Sequence, residues 1–523
     1  MPQRGTRRSQ RSHDRPHATR DPPPAHRLRP HPSPPARPCL GLVQIPTTPT
    51  TPSPTLPLPT PRPPTHLNTS VVAVLKGVAD TQAIAKIISH GDAQYKAGSA
   101  VDRELLDAGR RYLAAQNAYE QAPGGPNSAF FSVDGKGTDD RAITEGIFAA
   151  VGDDKVTVES VVTDKEHGKQ FVTDVLTHNW TDDGKSALSM FRFGDQDATV
   201  ENPADAQDVL TANRTGHIMS VVGEAMSTKE AWATLSNVPG TDNQSVGPLN
   251  PDLMRTISHS MAPYTADLAG LDQPDKPGFD TYHNGKSWID PTGNNSYSGA
   301  ANVFAVMNTD PEAGKYFNSA VLNQILNAES QFANDPTAPN SGKWLSTAGT
   351  LHGLLDKGLQ LETIDEYHDQ DKAAEAAYKQ KVAAYDVFKA SVNFASGYAG
   401  DFAKFTYWGM NSGGDAFKEA MIGPKPEGHS TPELHGVNFD RDYQQILAFR
   451  QDTYSLPTEF QRDFPWAFGA DGKLLTYDQA MQKFGNNPQE LKGYEAMFAR
   501  LGGQDGNGNM MRNSYTDVVR KDG

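Results

Sequence analysis

From Val71 onward, apolar residues recur at helical spacing. Val74, Leu75, Val78, Ile84, Ile87 and Ile88 predict one amphipathic helix, or two with a break near Ala79–Asp80. A second helix is predicted over 101–118, with Leu105, Leu106, Ala108, Tyr112 and Leu113 as its buried stripe. After the turn cluster "APGGPNS", shorter helices are predicted near 139–151, 156–163, 166–178, 183–193, 203–224 and 227–235. Their separators, such as "VGDD", "HNWTDDG" and "NVPGTDN", are built from residues that favour caps and turns. "LNPDLMRTISHSMAPYTADLAG" predicts a helix capped by Asn250, opened by Pro251 and kinked or split at Pro263. Residues 271–297 read as a long loop. Two helices are predicted over 298–334, the second capped by Thr309 or Asp310. Further helices are predicted at about 344–358 and 361–397. Within the latter, Tyr378, Val382, Tyr385, Phe388 and Val392 form a packing stripe, and Glu375 and Lys379 form an i,i+4 pair. Residues 401–523 are richer in aromatics and glycine, with helices at about 440–450, 477–484 and 487–501 and a loosely ordered end.

No convincing run of alternating β-branched residues interrupts this pattern. The fold class is therefore all-α, a multi-helix array or bundle of short and long helices preceded by a disordered Pro/Arg-rich arm. The expected organisation is the arm at 1–70, a helical domain at 71–270, a linker at 271–297, a helical domain at 298–400 and a helical or irregular region at 401–523. No stretch approaches the length and apolarity of a membrane span.

Charge divides the chain in the same place. Residues 1–70 hold ten arginines against two aspartates, a net +8, together with nineteen of the 38 prolines. The remaining residues hold 38 basic against 61 acidic groups, a net −23. The arm has too little apolar content to fold. Its lysine-free Arg/Pro/His/Thr composition also fits a GC-rich genome read upstream of a gene start. "RGTRRS" near the N-terminus is followed by no apolar segment of a signal peptide, so the chain is expected in the cytoplasm or exported without a cleavable signal. An acidic body repels phosphate and argues against nucleic acid as a partner.

Catalytic motifs are missing. The only cysteine, Cys39, lies in the arm, which excludes disulfides, thiol catalysis and cysteine-based zinc sites from the body. No phosphate loop, H-E-x-x-H pair or Gly-x-Ser-x-Gly elbow occurs. "DGKGTDD" at 134–140 imitates a calcium loop, but Lys136 takes a ligand position and Asp139 the position of the required glycine. His167, His178, His217, His259, His283, His352 and His368 are scattered, and none of them is paired at i,i+4. Any metal site would have to be assembled from remote segments. No cofactor is indicated. The best cluster in the C-terminal part is "HSTPELHGVNFDRD", with His429, His435, Asp440 and Asp442. "LTHNWTDDGKSALSMF" concentrates His178, Trp180, Thr181, Asp182 and Asp183, and reads as an interhelical corner. Thr181 or Asp182 would cap the second helix, and Trp180 would fill the angle.

Four separated blocks carry a resemblance: "FVTDVLTHNWTDDGKSALSMF", "GPLNPDLMRTISHSMAPYTADLAG", "GAANVFAVMNTDPEAGKYFNSA" and "LDKGLQLETIDEYHDQDKAAEAAYKQKVAAYDVF". In this order, over about residues 71–400, the chain resembles an actinobacterial, mycobacterial-type group labelled TPR-repeat-region proteins. No tetratricopeptide signature of 34-residue period is visible in the residues themselves. Members of the group typically begin with a helical hairpin and occur near type VII secretion systems. Here the basic arm stands in place of the hairpin, and the one Tyr-x-x-x-Asp match, Tyr367/Asp371, is internal. The resemblance implies an interaction or scaffold protein with protein partners in a secretion or envelope setting, and no reaction. The alternative is a multidomain secreted effector whose region 401–523 carries an enzymatic or toxic activity.

Overall fold

The computed structural model describes residues 72–91, 97–122, 130–137, 141–366 and 370–394, together with parts of 406–520. The arm at 1–70 lies outside the described residues. Their regular structure is helical apart from two small sheets and an isolated bridge between Phe468 and Leu474.

The first departure from the predicted pattern comes at once. Val72–Leu75 is strand β1, not the start of a helix. Four apolar residues in a row fit either state, and a partner decides. β1 runs parallel to β2 (Phe130–Val133), which turns into antiparallel β3 (Lys136–Gly137). Leu75 then faces a small core with Val78, Phe131 and Ile143, while Val74 faces out. α1 (Val78–Ser89) follows directly. The carboxylate of Asp134, in the β2–β3 turn, accepts N–H bonds from Gly77, Val78 and Ala79 at 2.6, 3.2 and 2.9 Å. The imitation calcium loop thus donates its first aspartate as a remote helix cap. The same bonds, that from Ala79 foremost, hold the Asp134 carboxyl below its ordinary pKa.

The next helices are α2 (Ala100–Glu120), α3 (Glu145–Val151), α4 (Lys155–Val162), α5 (Gly168–Thr177), α6 (Leu188–Phe191), α7 (Ala206–Met226), α8 (Lys229–Ser236) and α9 (Val246–Leu249). Ser99, Asp154, Asp205 and Thr228 cap α2, α4, α7 and α8 by accepting first-turn N–H bonds. α10 (Pro251–Met261) gives way at Pro263 to a 3-10 turn, then to α11 (Thr265–Leu268), so the proline splits the helix. The loop at 271–297 contains a hairpin of β4 (Tyr282–His283) and β5 (Lys286–Ser287). Its aromatic residues bind it to the core: Phe279 stacks on Tyr264 at 4.6 Å, and Trp288 is buried with its Nε1 donating to Asp280 O.

α12 (Ser298–Asn308), α13 (Pro311–Asn334), α14 (Ser341–Glu366) and α15 (Gln370–Phe394) form the central assembly. Of the two candidate caps of α13, Asp310 accepts from Ala313 N at 2.8 Å, while the Thr309 hydroxyl donates back to Val306 O. α14 does not stop near 358 as predicted. Gly358 is a notch, where a Cβ would lie 2.4 Å from Phe304 Cβ on α12. The first residues of the predicted 361–397 helix therefore belong to α14. In α15, Tyr385 and Phe388 are buried, and Tyr378 and Val382 pack at the core's edge. The side chain of Val392 lies outside the described residues.

C-terminal to these come α16 (Gly414–Ile422), α17 (Thr458–Asp463), α18 (Tyr477–Phe484) and α19 (Asn507–Arg520). α18 matches its expected span. Within the end, read from sequence as loosely ordered, Asn507–Arg520 is instead helical. Met511, Tyr515 and Val518 form a buried i, i+4, i+7 stripe against α14. Close approach is possible because α14 presents glycine there; a Cβ at Gly349 would lie 2.1 Å from Met511 O.

One hydrophobic cluster includes Ala85, Ile257, Phe304, Leu447 and Val518. α14 lies deep within it, with α12, α13, α15 and α19 all packed on it. A helix enclosed in this way is normally apolar all round. The ionisable exceptions on α14 are His352, Asp356 and Glu362, each buried.

Candidate functional site

His352 meets Glu329 of α13 and Asp442 from the C-terminal region. Asp442 lies on a buried helical stripe with Phe439, Tyr443, Ile446, Leu447 and Phe449. The Nε2 of His352 stands 3.9 Å from Glu329 Oε1 and 3.8 Å from Asp442 Oδ2. These separations exceed hydrogen-bond length. With both acids ionised, His352 Nε2, both Glu329 oxygens and Asp442 Oδ2 have no hydrogen-bond partner among the described residues, whereas a protonated Glu329 shares a hydrogen bond with Asp442. Burial pushes the Glu329 carboxyl well above the ordinary range, and the neighbouring Asp442 pushes it further. Burial likewise raises Asp442 to about 7. It lowers His352 to about 3, with Lys381 contributing by repulsion. Two acids and a neutral imidazole therefore face one another.

One helical turn away, Asp356 is fully engaged. It binds the Lys381 ammonium of α15 directly, and its other oxygen accepts from Tyr515 OH at 2.8 Å. Lys381 also donates to Ile422 O at 3.3 Å. Desolvation, with Asp356 next in order, raises the Tyr515 hydroxyl far above its usual pKa.

Farther along α14, Glu362 is raised to about 8, first by burial and then by the adjacent Glu366. Its folded pKa exceeds the ordinary 4.5, so the folded state keeps a proton that the unfolded chain releases. Stability from this group is greatest below about pH 4.5, falls as pH rises toward 8, and levels off above that. Glu362→Gln is expected to gain on the wild type by about 2–4 kcal/mol between pH 5 and 8.5 in chemical denaturation. A difference that does not change with pH would refute this.

The predicted corner is also buried. His178 is 0% exposed and Trp180 3%. Asn117 Nδ2 donates to Asp174 O at 2.8 Å, which leaves Asn117 Oδ1 to accept from His178 Nδ1, also at 2.8 Å. The imidazole therefore carries its proton on Nδ1. The Trp180 ring meets His178 at 4.6 Å and Phe148 at 5.6 Å, both edge-on, and its Nε1 donates to Val175 O at 2.9 Å. Asp182 caps the next turn, accepting from Gly184 N and Ser186 N. Thr181 does not share that role; its backbone N–H and its hydroxyl both go to Glu145. Asp183 adopts φ 62° and Gly184 φ 82°, a left-handed pair that the Asp-Gly sequence allows, and Asp183 pairs with Lys185 at the surface. Asn250, expected to cap α10, instead donates its amide to Leu176 O and His178 O at 2.9 and 2.8 Å. Its side chain goes to the corner because two carbonyls at the end of α5 need donors.

Residues 45–193 match the TPR repeat domain family. No curated protein and no solved structure matches the chain. The match contains the corner and α1 to α6, and it supports the TPR label that the residues alone did not. It covers under a third of the 523 residues. Within its described part the helices run to 12, 21, 7, 8, 10 and 4 residues, so they do not repeat one uniform helix pair.

Of the C-terminal candidates, Asp442 joins the buried cluster, whereas His429, His435 and Asp440 lie outside the described residues. His217 and His283 pair with Glu159 and Glu224 near the surface. Among the described residues, no helix is long and apolar enough to cross a membrane. Sequence reasoning missed Glu329 altogether and treated His352 as isolated. The available signal was an acid at Glu329 on the apolar stripe of Leu322, Ile325 and Phe332.

Proposed function

We propose that this protein is a helical scaffold that binds other proteins. The match of residues 45–193 to the TPR repeat domain carries this reading, because such repeats present packed helices as binding surfaces. Within the matched stretch α1 exposes Ile84 and Ile87, one turn apart and 45% and 73% accessible. Large apolar side chains this exposed on one helix face are candidates for contact with a partner. The finer setting, an actinobacterial secretion system or cell envelope, rests on the four-block resemblance alone.

Affinity purification from native extract with wild-type chain and with Ile84→Asp/Ile87→Asp tests the proposal. A stoichiometric partner that is retained by the wild type and lost by an equally helical variant is the expected result. Identical recoveries with both proteins, or no stoichiometric partner with either, would count against it.

A further inference from the structure

We propose that Glu329, His352 and Asp442 bind one transition-metal dication of the zinc or manganese class, which fastens the C-terminal region to α13 and α14. Each side chain supplies one ligand atom, and these atoms all lie within 4.8 Å of one another. Metal–ligand bonds of about 2.0–2.2 Å place neighbouring ligand atoms about 3–4 Å apart. The 3.8 and 3.9 Å separations at His352 Nε2 fall in that range. The three residues are only 1–2% exposed, and with both acids ionised the atoms that converge have no hydrogen-bond partner among the described residues, so they need either a proton shared between Glu329 and Asp442 or a bound cation.

Charge argues in the same direction. Two carboxylates in a dry interior need a proton or a cation, since isolated buried charge is costly. The nearby ammonium, Lys381, is already committed to Asp356. A dication would neutralise both acids, and the neutral imidazole is the form that binds metal. One nitrogen and two oxygens suit zinc, manganese or ferrous iron better than calcium or magnesium, which favour all-oxygen sites. Because the ligands are buried and come from separate segments, binding would accompany folding and would be structural.

The test uses the full chain, freed of metal by chelator under mild denaturation, refolded, and loaded separately with zinc, manganese or ferrous salt. Bound metal is counted by elemental analysis after gel filtration, and melting is followed by circular dichroism. One equivalent of one of these ions and a rise in melting temperature of about 3–6 °C are expected. The isosteric variant Glu329→Gln/Asp442→Asn should keep its helix content and lose both the ion and the rise. If that pair fails to fold, Asp442→Asn alone carries the same comparison. A wild type that holds no stoichiometric ion after every loading would overturn the proposal. So would a folded variant that retains the full equivalent, since the metal would then sit elsewhere, for instance on surface histidines.

Discussion

Trp180→Ala is expected to cost about 3–5 kcal/mol of folding stability while leaving most of the helix content intact. The ring is 3% exposed and lies where three helices meet: it touches Phe148 of α3, donates to Val175 O of α5, and packs edge-on against the His178 imidazole, which Asn117 ties to α2. Its removal leaves a cavity where these meet and strips the cover from the His178–Asn117 bond. Asn250 reaches the same place from the start of α10, so loosening there reaches a fourth helix. The shift in denaturant midpoint measures the cost. A loss below about 1 kcal/mol would show that the corner relaxes around the missing ring, and that the dense polar sequence there serves some purpose other than packing.

Much of this corner was legible beforehand, and the reason is local. Asp182 caps and Asp183–Gly184 turns because of interactions within four residues, which sequence order displays directly. The split at Pro263 and the cap at Asp310 were legible for the same reason. Features set by distant partners were not. β1 needed β2, 58 residues on, to prefer a strand, and α1 takes its cap from Asp134 rather than from its own flank. Gly358 looks like a helix end until α12 is seen to need the space. α19 looks loose until α14 is there to receive Met511, Tyr515 and Val518. The buried cluster is the extreme case. Glu329 precedes His352 by 23 residues and Asp442 follows it by 90. Only a charged residue on an otherwise apolar stripe hints that each of them is turned inward.

The buried polar groups of α14 differ in how well they are satisfied, and that difference makes Asp356 the place where a substitution should be most costly. Its carboxylate joins Lys381 of α15 to Tyr515 of α19, and Lys381 reaches on to Ile422 O at the end of α16. Four helices therefore meet at one charge pair. Asp356→Ala would strand an ammonium whose residue is 8% exposed and leave the Tyr515 hydroxyl without its acceptor. Breaking one side of a buried pair costs about 3–5 kcal/mol, because the remaining charge cannot return to water. Removing both charges is a different perturbation. Asp356→Leu/Lys381→Met keeps the side-chain shapes and leaves only neutral groups unmatched, the Tyr515 hydroxyl, which Asp356→Ala also strands, and Ile422 O, at about 1–3 kcal/mol each. The double variant should therefore be more stable than Asp356→Ala, a reversal that additive contributions could not produce. Denaturation midpoints of the three proteins at neutral pH decide the point. If the double variant is as unstable as the single one or more so, the pair is worth more than its desolvation, and the polar seam along α14 would count as a net source of stability.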